Sequence, residues 1–526
     1  MVSLPAMTIH SLPVELIARI FVLGAADQYS DSPFLLRPDE DYCSTASADF
    51  QLISSQVCQH WRQIAIRTSS LWTSLHFREP VHITRAEAFL SRASPNYPLD
   101  ILVDTVSPEE HIPGVTLCRE EMRTIFELIT PHVARWRAFH LKELVPHEVW
   151  NRFSHCLQVR ADECKLIARQ ALSTCGPAPR LETLQLYHFE DYRTAHNLYI
   201  ATYRDPVMIF NNVLPSLKNV SLIGVNLPWA HSPYLKQLDA LELALHPDNI
   251  RPPFDVWDAM LRESPRLRRL LLHYSGPRVA SKSPDSRISV PTLEELSLTD
   301  LDPEHLTTML KTLDLPHLTT LSMDLPDQDY TSAMQLLTEE SECPPIQLAG
   351  LHTLRIAALE CQAEILAKLI RAASALRVLE LDFSAISPRH VLLDILFEAT
   401  VVSDEDEDED SGCSCKRQRR RIPIFPHLKE VRLFGLDGTK LRDLIAFRSG
   451  FKCSCANHVP LPRFVVRWSP GPGKERDKVL DELVENCKVE YMEEKYDELE
   501  EDDDGSNSDG SMDAGSGTND SVDSND

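Results

Sequence analysis

Two patterns of apolar positions organise the chain. The first lies near the N-terminus. Leu12, Leu16, Ile20 and Leu23 recur at i, i+4, i+8 and i+11, and Ile17 and Phe21 widen the stripe. That period predicts an amphipathic helix. Ser11 is placed to cap it, Pro13 is tolerated in a first turn, and Glu15 suits a helix N-terminus. In a second block Val57, Trp61 and Ile64 recur at i, i+4 and i+7, with Cys58 and Ala65 beside them and Leu71-Trp72 following. Each helix is too short to stand alone, so each stripe must pack on something. Periodicity by itself reads as two core helices of a larger domain. Between them, Ala25 to Phe50 carries Asp27, Ser30, Asp31, Ser32, Pro33, Pro38, Asp39 and Asp41 and reads as a polar loop.

The second pattern is a repeated apolar-x-x-apolar-x-apolar phrase. It runs through Leu181-Leu184-Leu186, Leu217-Val220-Leu222, Leu238-Leu241-Leu243, Leu267-Leu270-Leu272 and Leu293-Leu296-Leu298. It continues in Leu318-Leu321-Met323, Leu351-Leu354-Ile356, Leu376-Leu379-Leu381 and Leu428-Val431-Leu433, with Trp136-Phe139-Leu141 as an earlier copy. Successive first positions from Leu181 are 36, 21, 29, 26, 25, 33, 25 and 52 residues apart. Helix signals lie between copies: Leu306, Met309 and Leu310 after Asp302-Pro303-Glu304; Ile365, Leu366 and Leu369; Val391, Leu392, Ile395 and Leu396; Leu441, Leu444 and Ile445. A repeated strand–helix unit builds a parallel sheet with helices on its outer face, and each unit buries its apolar side against its neighbours. An ordinary α/β domain with leucine-rich strands is the plainer reading of the same strands.

Composition changes this picture in two places. The chain of 526 residues exceeds one ordinary core, and its formal charge is −26. The acidity is local: residues 404–410 contribute −7, residues 493–526 contribute −13, and Lys416–Arg421 returns +5, leaving −11 for the rest. Both acidic tracts are expected to be disordered. The remainder shows no nucleic-acid footprint, and no apolar run is long enough to span a membrane. No signal-peptide pattern opens the chain. Its 13 scattered cysteines fit reduced thiols in the cytoplasm or nucleus.

The N-terminal vocabulary resembles an F-box. Leu12-Pro13-x-Glu15-Leu16-Ile17-x-x-Ile20-Phe21, then Val57-Cys58-x-x-Trp61-Arg62-x-Ile64-Ala65, then Leu71-Trp72, follow that family's order over roughly residues 9–76. The Ala25–Phe50 interval is longer than a compact F-box needs; F-box-like domains of fungal proteins often carry such a loop. The resemblance implies a three-helix module that docks on the Skp-type adaptor of a cullin–RING ubiquitin ligase. It would use Leu12, Pro13, Leu16, Ile20, Phe21, Val57, Trp61 and Trp72, some on the adaptor and some in the module's own core. The phrases behind it resemble irregular leucine-rich repeats, with spacings mostly near that family's period. The consensus asparagine or cysteine after each strand is mostly missing.

The expected architecture is therefore α/β: a module over 9–76, a connecting strand/helix region over 77–130, a solenoid over 131–470 with a disordered insert at 403–421, and a disordered tail over 493–526. Residues between the apolar strand positions should line a concave face, where solenoids hold partners. These are Gln185, Tyr187, His273, Ser297, Thr299, Arg355, Glu380, Asp382, Arg432 and Phe434. The mixed signs name no acidic or basic client.

Other constellations carry less. Cys413, Cys415, Cys453, Cys455 and His458 gather metal-type residues, but Cys-x-Cys spacing strains a tetrahedral zinc site, and unligated thiols are expected. Lys416–Arg421 is both a nuclear-import type cluster and a self-neutralising partner for the adjacent acids. Ser403 stands before acidic residues, as acidophilic kinases accept. No glycine-rich phosphate loop, nucleophile elbow or His-Glu-x-x-His pattern is present, and lone cysteines such as Cys156 and Cys164 read as packed. No enzyme activity or cofactor is expected. The expected function is a ubiquitin-ligase substrate receptor, binding the adaptor, the cullin core and an unknown protein client, with no nucleic acid or membrane partner. Rivals are a non-ligase repeat scaffold, an unrecognised enzyme, and an acidic chaperone-like protein.

Overall fold

The computed structural model describes residues 9, 12–26, 32–36, 50–106, 111–117, 119–144, 167–189, 206–278, 287–339, 344–402, 420–451, 461–467, 477–486 and 489–491. Among them, fourteen strands line up in one sheet in the order of the sequence. They are β1 Ser74–Phe77, β2 Leu99–Asp104, β3 Trp136–Leu144, β4 Thr183–Phe189, β5 Asn219–Ile223, β6 Ala240–Ala244 and β7 Arg269–His273. The row continues with β8 Glu295–Thr299, β9 Thr320–Asp329, β10 Thr353–Glu360, β11 Val378–Asp382, β12 Glu430–Phe434, β13 Arg463–Arg467 and β14 Val489–Tyr491. Every neighbouring pair is parallel. A short strand, Ile386–Ser387, pairs with the end of β10.

This α/β architecture is solenoid-like because each strand pairs with its predecessor and its successor in sequence. The register explains the repeat. Leu184, Val220, Leu241, Leu270, Leu296, Leu321, Leu354, Leu379 and Val431 stand in one row across nine strands. Every apolar position of the ten copies is buried.

The sheet extends past the expected bounds of 131–470 at both ends. The 77–130 region is part of the sheet, since β2 lies within it and β1 lies at its edge. At the N-terminal end the signal was present: Trp72-x-x-Leu75-x-Phe77 carries the same spacing, with aromatics where leucine is commoner. At the insert, Ala399–Val402 and Arg420–Pro423 pair antiparallel, so Arg420 and Arg421 belong to a strand and the expected insert of 403–421 is too wide. Residues 403–419 and 493–526 lie outside the described residues.

Helices cover one face in the later repeats. The helix Pro303–Thr312 starts at Asp302, whose carboxylate accepts from the Glu304 and His305 amides at 3.0 and 2.9 Å. It buries Leu306, Met309 and Leu310. Helices Ala363–Ala372, Arg389–Leu396 and Gly438–Ser449 bury Leu369, Ile395 and Leu444 in the same core. Between β5 and β6 a 3-10 turn, Trp229–His231, takes the place of an α-helix.

A left-handed residue ends several strands: Gly224 (φ 66°), Leu245 (φ 55°), Tyr274 (φ 45°), Asp300 (φ 45°) and Gly435 (φ 66°). Each of the first four sends its N–H to a carbonyl of the next strand at 2.8–2.9 Å. The following residue turns inward. There His246 Nε2–H donates to the Val225 carbonyl at 3.1 Å and Nδ1 accepts from the Ser275 hydroxyl at 2.8 Å. At this turn, where the consensus asparagine is missing, histidine serves the Val225 carbonyl and serine holds the ring in place.

The N-terminal helices are α1 Val14–Ala26, α2 Phe50–Gln56 and α3 Gln59–Arg67. Cys58 caps α3, its sulfur accepting from the Trp61 amide at 3.4 Å. The Phe50 ring lies where a Cβ on Gly24 would sit, so glycine lets α1 and α2 close on each other. Ile17, Phe21, Ile64, Ala65 and Trp72 share one core with Leu75 and Phe77 of β1. The helices and the sheet are a single packed body at this end. No helix among the described residues is long and apolar enough to cross a membrane.

Candidate functional site

Two surfaces stand out: the free side of the N-terminal helices, and the sheet face opposite the helices. On α1, Ile17 and Phe21 are fully buried, whereas Leu16, Ile20 and Leu23 are 52%, 44% and 53% exposed. The last three share a face at i, i+4 and i+7. The stripe that periodicity assigned to packing is thus divided: its widening residues carry the core, and its principal row faces outward. Ile53 on α2, Val57 between the helices and Ile66 on α3 are also exposed.

The eight residues expected at the adaptor sort accordingly. Pro13, Leu16, Ile20 and Val57 are exposed; Leu12 and Trp61 are partly buried against the core; Phe21 and Trp72 are inside it. Trp61 packs its ring 5.0 Å from that of Phe21. Trp72 lies edge-on to Phe89 at 4.9 Å, with the Arg92 guanidinium 4.5 Å above its ring. Leu23, Ile53 and Ile66 were missed. Leu23 lies in the stripe whose period predicts packing; Ile53 extends the second stripe one turn before Val57, and Ile66 is an isoleucine outside either stripe.

The second sheet face has two chemically different halves. Over β10–β14 it is an alternating ladder of charge. Arg355 meets Glu380 at 3.5 Å, Glu380 meets Arg432 at 3.4 Å, Arg432 meets Glu430 at 2.6 Å, and Glu430 meets Arg463 at 3.2 Å; Arg463 also pairs with Glu490. Three of the expected client residues, Arg355, Glu380 and Arg432, therefore satisfy one another. His273, Ser297, Thr299, Asp382 and Phe434 are partly exposed on the same face.

Over β3–β6 that face is closed. Gln185 and Tyr187, expected to be open to a partner, are buried, because Leu35 and Leu36 of the inter-helix loop lie on this patch. Gln185 Oε1 accepts from the Leu36 amide at 2.9 Å and Gln185 Nε2 donates to the Leu36 carbonyl at 2.9 Å. The Leu36 side chain enters a cluster of Leu102, Tyr187, Ile223 and Ala244, with Leu245 at its edge. His140, Gln185, Ser221 and Glu242 stand side by side in register. The His140 Nδ1 lies 2.9 Å from Gln185 Oε1, Gln185 Nε2 donates to Ser221 Oγ at 3.3 Å, and Ser221 donates to Glu242 at 2.5 Å. Burial lowers His140 to about 4, so its ring is neutral near pH 7 and donates from Nδ1. That chain of bonds fixes which way the Gln185 amide points.

Beside this patch, Asp104 lies buried between Arg78 at 3.6 Å and Lys142 at 3.9 Å, and Lys142 sits 5.7 Å from the Tyr187 ring centre. Burial raises the Asp104 carboxyl against the pull of Lys142 and Arg78. Asp104, Arg78 and Lys142 carry no signal in the sequence pattern. The signal for the loop was Phe34-Leu35-Leu36, three apolar residues inside a stretch otherwise rich in Asp, Ser and Pro.

Cys413, Cys415, Cys453, Cys455, His458, Cys156, Cys164, Ser403 and Lys416–Arg419 lie outside the described residues. Among the described residues no group of three or more His, Cys, Asp or Glu could hold a metal ion. No protein-family model matches the chain, and no curated protein does.

Proposed function

We propose that this protein is an F-box-type substrate receptor of a cullin–RING ubiquitin ligase. The helices α1–α3 dock on the Skp-type adaptor, and the sheet face holds a protein client. The observation that carries the reading is the row Leu16, Ile20 and Leu23, large aliphatic side chains left in water on a helix whose other face is fully packed. A monomer gains nothing from that exposure; a partner helix or groove would bury it. The sequence resemblance supplies the partner's identity. Because the docking helices share their core with β1, the client end is held at a fixed orientation to the adaptor end. The chain contributes proximity rather than bond chemistry.

Co-purification with the adaptor tests it. The wild-type chain should retain the adaptor, and Leu16→Asp/Ile20→Asp should lose it while keeping the wild-type melting curve. A wild type that retains no adaptor overturns the reading. It would favour instead a repeat scaffold, for which the self-satisfied ladder from Arg355 to Glu490 is the supporting observation.

A further inference from the structure

The segment 32–36 meets the sheet at Leu35 and Leu36 as a bound peptide's anchor would. Ser32 Oγ accepts from the Phe34 amide at 3.2 Å and shapes the entry of the segment. Phe34 and Leu36 are both buried. Gln185 reads the Leu36 backbone at its N–H and its C=O together, a contact open to any residue but proline. Selectivity comes from the side-chain pocket of Leu102, Tyr187, Ile223 and Ala244. Leu245, at the edge of the pocket, holds the left-handed backbone that recurs at Tyr274 and Asp300 after the next two strands. The Gln185 amide is fixed by His140 and Ser221 behind it, so the site does not depend on the loop for its orientation.

We propose that this patch is a peptide-binding site for an extended partner segment that presents a leucine, and that residues 32–36 occupy it as a built-in competitor. A client then binds by displacing the chain's own segment. The proposal rests on the reading of the sheet as the client-holding end and makes no use of adaptor docking. It also gives the inter-helix interval a physical role, since Leu36 within it reaches Gln185, 149 residues away in sequence.

The probe is an acetylated, amidated peptide of residues 32–36, Ser-Pro-Phe-Leu-Leu, carrying a fluorophore. It should bind the full-length Phe34→Ser/Leu36→Ser variant at least tenfold more tightly than the wild type, as the competitor is weakened there. Adding Gln185→Ala should reverse the gain, and a peptide with aspartate at the Leu36 position should bind neither chain. Equal binding to the wild type and the loop variant overturns the proposal. So does no binding to a loop variant with a wild-type melting curve. Should the loop variant not fold, hydrogen exchange on the wild type decides: excess unlabelled peptide must speed exchange at the Leu36 amide, and unchanged exchange at millimolar peptide overturns it. Adaptor co-purification, run on the same samples, shows separately whether the ligase reading stands.

Discussion

The indole Nε1–H of Trp72 donates to the carbonyl oxygen of Ala65 at 2.8 Å. That bond ties the last turn of α3 to the residues leading into β1, and Trp72 is fully buried where it does so. Trp72→Phe keeps an aromatic ring against Phe89 but removes the donor. It should cost about 1 kcal/mol, the net worth of one hydrogen bond, since the Ala65 carbonyl still accepts from the Thr68 amide. Trp72→Ala should cost roughly 3–5 kcal/mol, as for other large aromatic truncations. Urea unfolding of both variants checks the contrast; equal losses would mean that the hydrogen bond, not the ring, dominates.

The two faces of α1 should separate in a stability assay. Leu16→Asp and Ile20→Asp change exposed positions and are expected to shift stability by about 0.5 kcal/mol or less. Phe21→Ala, four residues from Ile17 on the packed side, should lose roughly 3–5 kcal/mol. A large destabilisation from the Leu16 change would show that this row is packed after all.

Much of this division could not be read from spacing. A helix with apolar residues on more than half its circumference gives one broad stripe, and periodicity does not say which edge meets the protein. Ile17 and Phe21 against Leu16 and Ile20 is such a case. The sheet was far more legible, because Leu184, Val220 and Leu241 repeat at register and parallel neighbours repeat the same burial. Alternation correctly placed Gln185 and Tyr187 on the second face. It could not show that face to be covered, because the cover comes from residues near position 36, and a contact between distant positions leaves no periodic mark. The ion ladder was hidden for a related reason: Arg355 and Glu380 become neighbours only through strand register.

Acid should destabilise the fold through two buried histidines. Burial holds both His140 and His305 at about 4, below the ordinary 6.5. Each therefore binds fewer protons folded than unfolded. Their contribution is neutral above pH 6.5 and becomes a penalty as pH falls toward 4, up to roughly 3 kcal/mol apiece for a site that stays fully buried. Chemical unfolding between pH 7 and 4 should show this slope, and His140→Gln should remove part of it. A slope unchanged by that substitution would mean that His140 is protonated as readily in the folded chain as in the unfolded one.

The charge ladder should matter little at ordinary salt. Glu380 lies between Arg355 and Arg432 with its side chain 23% exposed. Glu380→Gln is expected to cost at most about 1 kcal/mol, and less in 1 M salt than in 10 mM. Melting curves at both salt concentrations test this; a loss independent of salt would point to packing rather than charge.

Strand order that follows sequence order has a consequence for synthesis. Each strand leaving the ribosome finds its partner edge already made, so the sheet can grow from β1 onward without waiting for distant chain. Leu36 is different, because its place, begun by Leu102 of β2, is completed only by β4–β6. At about 5–20 residues per second it waits on the order of 7–30 s for Gln185 to be made. For that interval every nascent chain carries an unseated Phe34-Leu35-Leu36, followed by a newly formed cleft that its own segment reaches first because it is tethered to it.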